Sequence, residues 1–279
     1  MQNNTKVEQT VIIDFHTHAF PNALAPYARK SLLEGCEHIY TPVTDMTVTG
    51  LIEHMDVSGI DMSIVQPVIT KPSQTKTLNE WAKSIESDRL ISFGGVHPDT
   101  LDFKQDIDFI CSLGLKGIKF HPEYQNFYVD EPKMLKIYDY ALSKGLILLF
   151  HAGYDPAYPP PFKSSPQMFK FIVNEMKGGI IVAAHLGGQV QWDDVLNHLA
   201  GEDIYLDTSM GFEFFSKEIF LRIVKKHKAE KILFGSDSPW SDAGKEIGII
   251  KTLKLSDDEK KGILGKNAQR ILNISGKSI

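Results

Sequence analysis

Cysteine, arginine and long apolar runs are all scarce in this chain, and each shortage excludes something. Cys36 and Cys111 are the only cysteines, and they are not part of a C-x-x-C pair. That excludes a disulfide scaffold and a thiolate metal site, and it fits a reducing compartment. No stretch approaches the ~20 apolar residues that a membrane span needs. The longest runs, such as Leu146 to Phe150 and Ile180 to Ala184, have the length of buried strands. Met1 to Thr10 is polar and Val11-Ile12-Ile13 is broken by Asp14, so no signal-peptide pattern appears. Positive charge is not in excess: 30 Lys+Arg against 35 Asp+Glu give a net charge of −5. Such a chain has no global pull towards nucleic acid or anionic membranes. Arg29, Arg89, Arg222 and Arg270 are the only arginines, which leaves few groups for a bidentate carboxylate clamp.

What is present reads as an ordinary folded chain. Hydrophobic residues make up 42% and charged residues 23% of the 279 residues, which argues against disorder. Eight short apolar runs recur: Val11–Phe15, Met62–Val68, Leu90–Val96, Gly117–Phe120, Leu146–Phe150, Ile180–Ala184, Ile204–Leu206 and Ile232–Phe234. Helical patterns lie between them. Asp130 is placed as an N-cap ahead of Pro132, with Gly145 past the end of that helix. Ser256 to Glu259 is an S-x-x-E capping box. Eight strands alternating with helices predict a (β/α)8 TIM barrel, one domain over residues 1–279, in preference to an open doubly wound sheet. Two βα connections are extended, Ala19 to Thr49 after strand one and Gly153 to Pro166 after strand five. In a barrel both lie over the C-terminal face, where active sites are built.

The reactive side chains gather at strand ends. His16-Thr17-His18 closes strand one, His151 closes strand five, His185 closes strand six and Asp237 closes strand eight. Residues two apart share a strand face, so both imidazoles of His16 and His18 point into the barrel mouth. Imidazole and carboxylate together are what a divalent transition metal prefers. A lone strand-end histidine is more often a hydrogen-bonded pocket residue, but five such groups at matched positions point to a metal site.

These motifs resemble the amidohydrolase superfamily. H-x-H, His151-Ala152-Gly153, Ala184-His185-Leu186-Gly187-Gly188 and Phe234-Gly235-Ser236-Asp237-Ser238-Pro239-Trp240 occur in its order. More narrowly, the chain is similar to the amidohydrolase-related branch that includes aminocarboxymuconate-semialdehyde decarboxylase. Ile13 to His18, Lys116 to Pro122 and the tail Asn267 to Leu272 carry the likeness along the whole chain. The resemblance implies one divalent metal, usually zinc, on His16, His18, His151 and Asp237. It implies that Asp237 also takes a proton and that His185 is a general acid/base. Zinc brings the pKa of a bound water to ~7, which suits hydrolysis at neutral pH. Lys119 matches the carboxylated lysine that bridges two metals in some members, with His151 and His185 on the second ion. Because the branch resembled is typically mononuclear, Lys119 is instead read as binding a substrate carboxylate or pairing with a barrel acid.

The remaining polar groups have quieter readings. Asp14 shares the parity of His16, and Asp207 ends strand seven, so both are expected to orient neighbours by hydrogen bonds. His97 and His121 end strands three and four, where they touch substrate or pack the rim. His38, His54, His198 and His227 are read as surface residues. Arg29, His121, Tyr124, Gln125, Tyr154, Tyr158, Phe212 and Trp240 are the candidates for a partly aromatic pocket. The expected protein is a cytoplasmic, metal-dependent hydrolase of a small-molecule amide, ester or lactone. A non-oxidative decarboxylase of a small unsaturated or aromatic acid is the alternative. Neither nucleic acid nor membrane is expected as a partner, and a homodimer is compatible with the chain.

Overall fold

The computed structural model describes residues 10–274; the polar segment read above as carrying no signal peptide lies almost wholly outside them. Eight parallel strands follow one another: β1 (Ile13–Thr17), β2 (Met62–Val65), β3 (Leu90–Ser92), β4 (Gly117–Phe120), β5 (Ile147–Phe150), β6 (Ile181–Ala183), β7 (Tyr205–Asp207) and β8 (Ile232–Leu233). The ladders β1-β2-β3 and β4 to β8 meet at two seams. At one, Gly94 N–H donates to Gly117 O at 2.8 Å and Lys119 N–H to Gly94 O at 2.9 Å. At the other, Phe15 N–H donates to Phe234 O and Asp237 N–H to His16 O, both at 2.8 Å. The sheet is therefore closed, and the fold is the expected (β/α)8 barrel.

Twelve α-helices surround it in the described residues: α1 (Ala25–Gly35), α2 (Val48–Ser58), α3 (Thr75–Ser84), α4 (Phe103–Ser112), α5 (Pro122–Gln125), α6 (Pro132–Ser143), α7 (Pro166–Glu175), α8 (Trp192–Asp194), α9 (Lys217–His227), α10 (Ala243–Thr252), α11 (Asp257–Lys261) and α12 (Asn267–Leu272). Their ends follow local chemistry. Thr47 Oγ1 accepts from Gly50 N–H at 3.0 Å at the start of α2, and Gly59 closes that helix at φ 69°. The Ser256/Glu259 box forms at α11 in both directions. The N-cap of α6 is Glu131, not Asp130. Pro132 occupies the first turn and forces the residue before it out of the helical region, so Glu131 takes the cap geometry. Among the described residues no helix is long and apolar enough to cross a membrane.

Two apolar layers follow from strand alternation. Ile118, Phe120, Leu148, Phe150, Ile181, Ala183, Leu206 and Ile232 pack outward against the helices. Ile13, Phe15, Ile64, Phe93, Leu149, Val182 and Leu233 fill the barrel, with Ala268, Ile271 and Leu272 of α12 in the same cluster. Strict alternation fails in β1. Its register against β2 shifts between Asp14 and Thr17, and successive residues Phe15 and His16 both face inward. β2 and β3 are shorter than their apolar runs. Past β3 the ladder yields to a side chain: Asn79 Oδ1 accepts from Gly95 N–H at 2.8 Å, and Asn79 Nδ2–H donates to Gly95 O at 2.9 Å.

The two extended connections behave differently. The first contains α1, whereas 153–165 has no helix and is stiffened by Pro156, Pro159, Pro160 and Pro161. They meet: a Cβ added to Gly35 would lie 3.6 Å from Ala157 Cβ. His227 is not a surface residue. It faces inward from α9, 2% exposed, where Nδ1 accepts from Gly201 N–H at 3.0 Å and Nε2–H donates to Ile204 O at 2.9 Å. His54 and His198 are half-buried and His38 is exposed.

Burial lowers the His227 pKa from 6.5 to about 4. The unfolded chain therefore binds the extra proton between those values, and the stability of the fold falls as pH drops through that window. The shift corresponds to about 3 kcal/mol at full effect. Urea unfolding of the wild type and of His227→Gln between pH 7.5 and 4 should show the wild type losing that much more stability. Parallel pH dependences in the two proteins would refute the assignment.

Candidate active site

Backbone conformation sets the site at the strand ends. His185, Leu186, Met210 and Asp237 all have positive φ, between 48° and 63°. Non-glycine residues in this region cost about 1–3 kcal/mol each and persist where their surroundings over-determine them. Here they turn the chain sharply after β6, β7 and β8 and aim His185 and Asp237 inward.

Hydrogen-bond partners assign the protons. His16 Nδ1 lies 2.9 Å from Asp207 Oδ2, and His18 Nδ1 lies 2.8 Å from the carbonyl of Gln66. Both partners only accept, so each Nδ1 carries a hydrogen, and in the neutral ring each Nε2 is left with a lone pair. Those lone pairs face Asp237 Oδ1, at 3.3 Å from His16 and 3.1 Å from His18. With the rings neutral, three electron-rich atoms converge at one point, an arrangement that suits a cation. Lys119 Nζ meets one of the lone pairs, 2.8 Å from His16 Nε2.

The same reasoning extends to strands five to seven. Ser209 Oγ–H donates to Asp207 Oδ1. Ser209 Oγ and Ser209 O, 3.0 and 3.3 Å from His185 Nδ1, are therefore both acceptors, and His185 carries its hydrogen on Nδ1. His185 Nε2 then accepts from His151 Nδ1–H at 3.0 Å. His151 Nε2 is left as a buried lone pair with no partner among the described residues. Burial holds the pKa values of His16, His151 and His185 below the usual histidine value, which keeps these rings neutral. The donor set fits a divalent transition metal.

Not every expected group is adjacent. His16, His18 and Asp237 place their ligand atoms within 4.8 Å of one another, whereas His151 falls in a second group with His121 and Asp155. His151 connects to the first group through His185. The second group is poorly arranged for its own ion. His121 Nδ1 accepts from Tyr124 N–H at 3.4 Å, so His121 Nε2 carries a hydrogen, directed at Asp155 Oδ2 3.4 Å away. The His121 and His151 rings are stacked, 4.2 Å apart and 12° from parallel, and stacked rings share no in-plane point for a metal.

Around this centre, Tyr124 packs 4.2 Å from His121 and 5.3 Å from Tyr158, and Tyr40 lies between Phe214 and Trp240. Tyr154 contacts Phe162. Gln125 is buried and structural, donating to Ile69 O and Val96 O. Arg29 is exposed on α1, in the connection after β1. Lys119 is fully buried, and that burial lowers its pKa to about 8 against the pull of Asp237 and Asp207. Asp14, raised to about 7 by burial, pins β1 to Ser236 through Ser236 N–H at 2.9 Å and Oγ–H at 2.5 Å. Sequence reasoning missed Ser209, Gln66, Tyr40 and Asp155. Ser209 had a signal, since it lies two residues beyond Asp207; Tyr40, far along a loop, had none.

The family model for amidohydrolases matches residues 13–274, so the chain belongs to the amidohydrolase family. It is a metal-dependent enzyme of that family. No curated protein matches by sequence. Solved structures share the fold at low identity. An uncharacterized TIM-barrel protein from Bordetella bronchiseptica is 18% identical at a TM-score of 0.74, covering 94% of this chain and 98% of its own. A 5-carboxyvanillate decarboxylase from Novosphingobium aromaticivorans, solved with manganese and a nitrobenzoic acid bound, is 13% identical at 0.72, covering 95% and 97%. A probable 2-pyrone-4,6-dicarboxylic acid hydrolase from Acinetobacter baumannii, with citric acid bound, is 18% identical at 0.66, covering 94% and 99%.

The connections above β5 and β6 are zipped together beyond the barrel. Gln189 N–H donates to Ala152 O at 2.8 Å and Tyr154 N–H to Gln189 O at 3.1 Å. Gly153 sits in this zipper at φ 86°, and a Cβ there would lie 2.3 Å from Gln189 N. Gly153→Ala should therefore cost several kcal/mol, lower the thermal midpoint by several degrees and disturb His151 and His185 together. Differential scanning calorimetry with a midpoint unchanged from wild type would contradict this reading of the zipper.

Proposed function

We propose that this enzyme hydrolyses a small-molecule amide, ester or lactone with one divalent ion, zinc, held by His16, His18, His151 and Asp237. The observation that carries the ion is the convergence of the His16 and His18 Nε2 atoms on Asp237 Oδ1. When bound, the ion supplies Lewis acidity and brings the pKa of water to ~7. The chain's own residues do the rest. His185 begins with its Nε2 unprotonated and its Nδ1–H backed by Ser209, so it enters as a proton acceptor. Asp207 behind Ser209 stabilises the imidazolium that forms. Asp237 is the second group able to take a proton. Lys119 supplies a buried positive charge beside His16 for a carbonyl oxygen that gains negative charge. The free thiols Cys36 and Cys111 favour a reducing compartment such as the cytoplasm.

Decarboxylation of an aromatic or unsaturated acid is the second reading. It needs the same ion site, and decarboxylases are among the structural neighbours. Hydrolysis is preferred because arginine is scarce, and the one arginine in the connection over the mouth, Arg29, is solvent-exposed on α1. Arg89 pairs with Asp56 at 2.6 Å, Arg270 donates to Asn267 Oδ1 and Glu230 O, and Arg222 is exposed on α9.

Two variants and one screen test this function. His16→Ala should lose most of the metal by elemental analysis while keeping the wild-type circular dichroism spectrum; full metal occupancy would sink the ligand assignment. His185→Asn should keep near-normal metal and lose ~10²–10⁴-fold in kcat. A drop from two ions to one on that change would make the site binuclear. The metal-loaded enzyme should turn over small lactones, esters or amides. Turnover confined to carboxylic acids, with CO₂ released, would establish the decarboxylase instead.

A further inference from the structure

We propose that Asp155 determines specificity, selecting an aromatic substrate whose end remote from the ion carries an amine or another hydrogen-bond donor, and rejecting a second carboxylate. The inference rests on the reading above, that the ion site binds the carbonyl or carboxyl end of a small molecule.

The position of Asp155 is fixed by its loop. Gly153 N–H donates to Ser164 O at 2.9 Å, closing the base of segment 153–165. Lys163 N–H and Nζ donate to the two carboxylate oxygens of Glu123 at 2.7 and 3.1 Å, tying the far side of the loop to α5. Asp155 itself is buried. Its Oδ1 accepts from Ala157 N–H at 2.8 Å, and among the described residues its Oδ2 faces the long contact from His121 Nε2–H at 3.4 Å. A carboxylate has about four acceptor sites, so this one keeps capacity for a further donor.

The surroundings place this spare capacity at the mouth. His121 stacks on His151, so Asp155 is one ring layer from the ion site. Tyr124 packs 4.2 Å from the His121 ring that faces Asp155, and Tyr40 packs on Trp240, three residues past Asp237, so the two aromatic walls stand beside the two carboxylates. The cations are elsewhere. Lys119 is at the barrel floor against His16, Lys163 is paired with Glu123, and Arg29 is exposed on α1. A planar molecule anchored at the ion and lying between Tyr40 and Tyr124 therefore meets an anion at its far end. A donor there completes the Asp155 shell. A second carboxylate meets like charge in a partly buried site, where such juxtaposition costs several kcal/mol.

Three ring acids serve as probes: 3-(aminomethyl)benzoate, 3-hydroxybenzoate and isophthalate. Each offers one carboxylate to the ion, and a ring acid is equally a hydrolysis product and a decarboxylation substrate. Calorimetric titration of the zinc-loaded full chain should rank them in that order, with isophthalate at least tenfold weaker than the aminomethyl acid. Asp155→Asn should reduce that ratio by tenfold or more, while its thermal midpoint and metal content certify the fold. Equal or tighter binding of isophthalate by the wild type would overturn the proposal and leave the ion-site reading standing. A ratio unchanged in Asp155→Asn would also overturn it. Binding of none of the three would overturn both.

Discussion

A buried carboxylate must find donors, and at the end of β7 Asp207 finds four. It accepts from His16 Nδ1–H, from the backbone N–H groups of His185 and Ser209, and from Ser209 Oγ–H. Each of these bonds has a consequence one step further on. The first leaves His16 Nε2 as a lone pair in the centre. The last turns Ser209 Oγ into an acceptor, which sets the hydrogen on His185 Nδ1, then the hydrogen on His151 Nδ1, and finally the free lone pair on His151 Nε2. One side chain with no direct place at the centre thus decides which atoms of three histidines are available for chemistry. This is the orienting role that polar groups behind metal ligands commonly play, here shared among three strands.

The barrel accommodates this arrangement by giving up regularity at its mouth. β1 slips register so that His16 can join Phe15 on the inner side. The chain after β6, β7 and β8 takes left-handed turns at residues that are not glycine. These irregularities are unfavourable locally, and the closed sheet and its two apolar layers below hold them in place.

Much of this was legible in the sequence for a physical reason. Parallel strands buried on both faces read as short apolar runs, and all eight were visible. Barrel strands end where reactive groups belong, so His16, His18, His151, His185 and Asp237 stood out by position. What was not legible depends on geometry that no period encodes. Strict alternation made Asp14, His16 and His18 a single inward row, but the slip in β1 breaks that row and leaves Asp14 pinning Ser236. His227 read as a surface residue because its partners, Gly201 N–H and Ile204 O, are backbone groups some 25 positions away with no sequence signature. Asp155 was hidden among prolines, where an aspartate ordinarily means only a turn.

The proposed preference for hydrolysis over decarboxylation rests on the mouth, not on the ion site. Both reactions need a Lewis acid and a proton-handling imidazole, and the strand ends offer the same pair for either. They differ in what must hold the rest of the substrate. A decarboxylase must grip an acid whose carboxylate departs as CO₂, and a remote anionic group on that acid would need a cation. In this chain the deep cation is Lys119, directed at His16 and under the pull of Asp237 and Asp207, while Asp155 stands in the loop after β5 against His121. On the proposed hydrolytic reading, Lys119 would polarise a carbonyl held at the ion site and Asp155 in the loop after β5 would meet the other end of the substrate. On that reading the extra carboxylate in the loop after β5, with no second cation among the described residues facing the ion site, favours a donor-bearing tail over a second carboxylate.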